Sequence, residues 1–200
     1  MRAFIILGHR APLTPQFTLN DLPGSAGRLD VLCRCVHGAL FLSHDLRRDV
    51  EVFLVLQGQL TVRICGESVK RLNPDERSTA ALIQKALEKI QRHEGADPVL
   101  STPGITIARQ GLSSLVDHMQ GRGFRLLVLH EGGTPFASTG LREPLAFVLS
   151  DHLDFSPADE QALAQLPRVS LGQRVYPASH CIVVVNHALD VLNGVAPPHC

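Results

Sequence analysis

The chain has 200 residues, 44% of them hydrophobic, which is enough to bury one well-packed domain and too few for three. Nineteen Lys and Arg balance nineteen Asp and Glu, so a uniformly basic nucleic-acid binder is excluded and any RNA site must be a local patch. Five cysteines, with Cys33 and Cys35 too close for an ordinary bridge, fit a reducing cytoplasm, and neither a signal peptide nor a membrane span is expected from the short apolar runs.

Met1 to Leu7 reads as a buried strand, followed by a loop with two prolines. Arg28 to Leu42 puts Leu29, Leu32, Cys33, Val36, Ala39 and Leu40 on one face of an amphipathic helix, which makes Cys33 a core residue. Cys33, Cys35, His37 and His44 invite a zinc reading, but helical residues two apart diverge, so no metal site is expected. The charged loop Ser43–Asp49 precedes a strand, Val50 to Leu56, whose hairpin partner is LTVRIC after Gly58-Gln59. In that loop Asp45, Arg47, Arg48 and Asp49 read either as a solvated turn or as groups that hold phosphate oxygens. Asn73-Pro74-Asp75-Glu76 starts a helix through Ile90.

Turns at Asp97-Pro98 and Thr102-Pro103-Gly104 lead to a short strand, Ile105 to Ala108, and a helix from Leu112 to Met119 ends at Gly121-Arg122-Gly123. The apolar strand Phe124 to Leu129 then stops at His130-Glu131-Gly132-Gly133. Leu145 to Leu149 is a buried strand that stops at Ser150-Asp151-His152, and Ser156-Pro157-Ala158-Asp159 carries the marks of a helix start. Val169 to Leu171 is closed by Gly172, and Ile182, Val185, Leu189 and Leu192 define a final helix from about Ser179. The alternation predicts an α/β fold with a mainly parallel sheet in a single domain, 1–200. In such sheets ligands collect where strands end in polar or glycine-bearing loops.

Several chemistries are excluded by motif. GxGxxG after the first strand, GxxxxGK[ST] and a GxSxG elbow are all missing from the sequence. A cysteine nucleophile at Cys181 is poorly served by His180, since adjacent helical side chains point about 100° apart. What remains is a site built from backbone and loops.

The stretches SDH (150–152), SLG (170–172) and ASHCIVVVNHALD (178–190), preceded in order by DLPGSAGRLDVLCRCV, FLSHDLRRDV, LNPDERS and STPGI, resemble the SPOUT-type RNA methyltransferases. More narrowly they resemble the archaeal tRNA pseudouridine-54 N1-methyltransferases and their bacterial relatives. The resemblance implies a SPOUT sheet with a C-terminal trefoil knot, over about 124–200, that binds S-adenosyl-L-methionine. It implies cofactor contacts at Leu129, Ser150, Leu171, Gly172, Cys181 and Ile182. It also implies a homodimer through the knot region, with Ile182, Val185 and Leu189 as candidates for its interface or for the core, and no membrane or DNA partner. The chain departs from the archaeal pattern in having Ser150 and Asp154 where glycines are typical, and in the loop 173–177.

For the implied reaction, methylation of pseudouridine N1, the weakly acidic nitrogen must lose its proton. Asp45, Asp49 and Asp151 are candidate acceptors, and Arg47 and Arg48 candidate partners for phosphate or developing negative charge. The acceptor RNA is expected to be tRNA. Ribosomal RNA, or a cofactor- and RNA-binding module without catalysis, are the competing readings.

Overall fold

Seven consecutive buried residues form β1 (Arg2–Gly8), and a strand buried on both sides requires helices above and below it. The computed structural model describes residues 1–136, 142, 144–192 and 194. Seven further strands are β2 (Val50–Leu56), β3 (Leu60–Cys65), β4 (Val99–Thr102), β5 (Ile105–Ala108), β6 (Arg125–Pro135), β7 (Leu145–Ser150) and β8 (Arg168–Ser170). They form one sheet in the order β4-β5-β3-β2-β1-β7-β6-β8.

The sheet is mainly parallel, as expected, with an antiparallel extension on one side. Parallel pairing runs through β2-β1-β7-β6-β8, whereas β3, β5 and β4 continue it in antiparallel fashion. The reason is connection length. Only three residues join β2 to β3, with Gln57 and Gly58 both at positive φ, and so short a link permits a hairpin and no crossover.

Helices α1 (Leu22–Ser25), α2 (Leu29–Leu40), α3 (Glu76–Gln91) and α6 (Ala178–Leu192) cover one face; α4 (Leu112–Gly121) and α5 (Pro157–Leu163) cover the other. Strand alternation divides the core accordingly: Phe4, Ile6, Val52 and Phe147 enter the first layer, and Ile5, Phe53, Val55 and Val148 the second. The helix starts follow local chemistry. Asp75 accepts the Ser78 N–H at 2.7 Å, and Ser156 and Asp159 exchange reciprocal side-chain to backbone bonds at the head of α5.

On α6 Ile182, Val185 and Leu189 are buried within this chain and pack in the α2 layer, so of the two alternatives for that stripe the structure shows core. The outward face carries Val183, Val184 and Val191 instead. The helices α2 and α6 approach closely at Gly38, where an added Cβ would stand 2.8 Å from the Ser179 carbonyl oxygen. Of the region expected to form the knot, residues 137–141, 143, 193 and 195–200 lie outside the described ones. No helix among the described residues is long and apolar enough to cross a membrane.

Candidate active site

A cavity of about 500 Å³ opens where β6, β7 and β8 end and α6 begins. Its walls follow from strand chemistry: Leu129, Leu149, Val169 and Leu171 supply apolar surface, while the loops that stop the strands bring Ser150, His152 and Asp154. Five of the six residues expected to contact a cofactor, Leu129, Ser150, Leu171, Gly172 and Cys181, line it. Ile182 does not, because one step along the helix turns its side chain by about 100° into the core, where it is fully buried.

The details of the wall explain the local sequence. Ser150 donates its hydroxyl to the Leu153 carbonyl, so this side chain is spent inside the turn. Ser170 Oγ accepts the Gly172 N–H at 3.2 Å and donates to the Gly172 carbonyl at 3.1 Å, which fixes a tight turn with Gly172 at φ +132°. The Cys181 thiol donates to the Tyr176 carbonyl at 3.5 Å. Burial pushes its pKa up, so it stays protonated at neutral pH, which further disfavours a thiolate nucleophile.

Asp151 sits at the cavity rim with its side chain only 3% exposed, and its oxygens are engaged. Oδ2 accepts the backbone N–H of His9 at 3.0 Å; Oδ1 accepts the Leu153 N–H at 2.9 Å and faces His9 Nδ1 at 3.1 Å. This arrangement suits an organising residue better than a free proton acceptor.

The other candidate catalytic residues stand elsewhere. Asp45, Arg47, Arg48 and Asp49 precede β2, whose first residue, Val50, pairs with Arg2, which in turn pairs with Leu145 at the start of β7. They therefore occupy the end of the sheet opposite the cavity, the length of a six-residue strand away, roughly 20 Å. Asp45 and Arg48 pair with each other at the surface. Arg47 is bonded to Asp190 near the end of α6, and Asp49 is exposed.

Sequence reasoning missed His9, whose place directly after a buried strand was the available signal; the strand end His130–Gly133 was among the polar stops it singled out, though no residue of it was named as a contact. There β6 leaves its ladder with β8 between Leu129 and Thr134, and His130 and Glu131 join the cavity wall. Apolar walls and strand-end backbone groups, with the carboxylates of Glu131 and Asp154 and the guanidinium of Arg174, suit a ligand that joins a flat apolar part to charged groups, while Glu160 is paired with Arg168.

Residues 1–193 match the family described as "Putative SAM-dependent RNA methyltransferase", and the chain belongs to that family. Among its relatives is the tRNA (pseudouridine(54)-N(1))-methyltransferase of Haloferax volcanii, 49% identical over 192 residues that cover 95% of this chain and 96% of the relative. The protein of the same name from Methanocella arvoryzae is 47% identical over 196 residues, 95% of this chain and 99% of the relative. In fold the chain is similar to Nep1 of Archaeoglobus fulgidus, solved bound to S-adenosylhomocysteine, with a TM-score of 0.66 at 20% identity over 96% of this chain and 99% of that one.

Proposed function

We propose that the protein is an S-adenosylmethionine-dependent RNA methyltransferase that methylates N1 of pseudouridine 54 in tRNA. The observation that carries the reading is near-half identity, over 95% of the chain, to relatives that bear this activity in their names. The cavity supports it, being of the size and chemistry that S-adenosylmethionine requires. When bound, the cofactor supplies an electrophilic methyl on sulfonium sulfur. Leu129, Leu149 and Leu171 would wall its heterocycle, and the strand-end backbone beside them would meet its polar edge.

The whole chain is taken as one SPOUT domain, with the trefoil knot formed by the segment from β6 onward. The insertion of β7 between β1 and β6, and the passage of the chain from edge strand β8 to α6 on the α2 face, support that reading. A cytoplasmic location follows from a tRNA substrate.

The separation of Arg48 from the cavity is reconciled by a homodimer. The fifteen-residue α6 is about 22 Å long, with Cys181 near one end and Asp190, bonded to Arg47, near the other. Two copies packed antiparallel through the exposed Val183 and Val184 would bring the 45–49 loop of one protomer to the cavity of its partner. In that role Arg48 would hold RNA phosphate, and Asp45 and Asp49 are the carboxylates offered to receive the N1 proton.

The test is calorimetric titration with S-adenosylmethionine, for wild-type protein and for Cys181→Trp, followed by methyl transfer to tRNA carrying pseudouridine 54. Micromolar binding that the variant loses, with methylation at that position, is expected. Absence of binding by folded wild-type protein, or methylation confined to ribosomal RNA, would overturn the reading.

A further inference from the structure

Three side chains from separate parts of the chain meet where β1 and β7 end. His9 Nδ1 lies 3.1 Å from Asp151 Oδ1, and Nε2 lies 3.0 Å from Asp159 Oδ2. A neutral imidazole has one N–H and can donate to one carboxylate, which would leave the lone pair of its second nitrogen facing an anion. With a carboxylate on each nitrogen, both contacts are satisfied only in the imidazolium. The three side chains are 18%, 3% and 16% exposed, so solvent does not dissolve the bridge.

Each carboxylate is also tied to a working element. Asp159 Oδ2 accepts the Ser156 N–H at 2.9 Å in the capping box of α5, and Asp151 Oδ1 accepts the Leu153 N–H at 2.9 Å inside the loop that lines the cavity. We propose that His9 is a positioning residue for cofactor binding: as an imidazolium bridging Asp151 and Asp159, it fixes the loop from Ser150 to Phe155 in the shape that walls the cavity. The proposal rests on reading that cavity as the S-adenosylmethionine site.

The charged and titratable groups around His9 are Asp151 and His152 from the loop after β7, Asp159 from α5, and Arg28 before α2, which interacts with Asp151. Burial of His9 lowers its pKa, but its hydrogen bonds to Asp159 and Asp151 and their charges outweigh it and leave the pKa above 6.5. The bridge is therefore complete below the ordinary histidine value and is lost as pH rises through the raised one.

The experiment combines nitrogen-15 spectra of the histidine rings, with His9→Gln as the assignment control, and S-adenosylmethionine titrations across neutral and alkaline pH. Two protonated ring nitrogens on His9 at neutral pH are expected. Cofactor affinity should fall about tenfold as the ring deprotonates, the size expected for a lost charge-assisted hydrogen bond. His9→Gln should bind at the weakened level throughout, with kcat at saturating cofactor little changed. Asp159→Asn should move the break in the profile to lower pH. A single-tautomer neutral ring at neutral pH, or unchanged affinity and profile in His9→Gln, overturns the clamp. A doubly protonated ring in folded protein that binds no cofactor at any pH overturns the reading of the cavity instead.

Discussion

Asp190 receives Arg47 through two parallel hydrogen bonds, Nη1 to Oδ1 at 3.1 Å and Nη2 to Oδ2 at 2.7 Å, while Arg2 Nη1 reaches the same Oδ1 at 2.6 Å. One carboxylate on α6 thus fastens the loop before β2 and the first residue of β1. Arg47, read from sequence as a phosphate ligand, is committed to the fold, and Arg48 beside it is left at the surface with its side chain 51% exposed. Asp190→Ala removes the carboxylate that the sheltered Arg47 grips with both nitrogens and that Arg2 also reaches, and is expected to cost roughly 3 kcal/mol, read as a lower midpoint in thermal or denaturant unfolding. Arg48→Ala should lower the unfolding midpoint far less than Asp190→Ala yet depress kcat/KM for tRNA, because it breaks an exposed ion pair and one hydrogen bond to the Gly66 carbonyl.

Gly172 lies at φ +132°, and nothing stands within 4 Å of the position a Cβ would take. Space is therefore no objection to alanine; the backbone is. Holding a side-chain-bearing residue there costs about 1–3 kcal/mol, so the loop is expected to relax and weaken S-adenosylmethionine binding about tenfold or more in Gly172→Ala. Calorimetry against the wild type checks this, and unchanged affinity would mean that the turn does not shape the cavity.

Seven of the eight strands were legible because they are short apolar runs with a polar or glycine stop, and α5 because its capping box is local in sequence. β4 was missed: its four residues lie at the sheet edge and alternate too weakly to show. The extension of β6 was missed because His130–Pro135 is polar and glycine-rich. The cavity wall was foreshadowed by the strand ends, together with the resemblance. His9 was not, since its partners are 142 and 150 positions away and only the sheet brings them together. For the same reason no local signal set Asp45–Asp49 at the far end of the sheet; that follows from the parallel register of β2, β1 and β7.

Glu51 is a buried carboxylate between Arg63 and Arg122, the latter at 2.8 Å. Burial raises its pKa, but the bonds from Arg122 and Arg63 outweigh that and hold it below the ordinary 4.5. A depressed carboxylate stabilises the fold above its unfolded pKa and loses that contribution as pH falls through the folded one. Glu51→Gln should therefore lose about 3 kcal/mol at neutral pH, with the gap to wild type closing as pH drops below 4.5. Melting curves over a pH series measure this directly; a gap that does not vary with pH would assign the loss to packing rather than to charge.

The trans-completed site makes the most demanding prediction. Val183 is 51% exposed on α6, so Val183→Arg should leave the protomer folded while splitting the dimer, and sedimentation velocity should show a monomer that still binds S-adenosylmethionine but does not methylate tRNA. A complementation assay then separates trans completion from mere stabilisation. Arg48→Ala protomers retain an intact cavity, and Cys181→Trp protomers an intact 45–49 loop, so each homodimer has two defective sites. After subunit exchange, half the dimers are mixed and each has one site with both wild-type parts, which restores about a quarter of wild-type activity. Exchange without recovery would place the whole site within one protomer, and the 45–49 loop would then need another role.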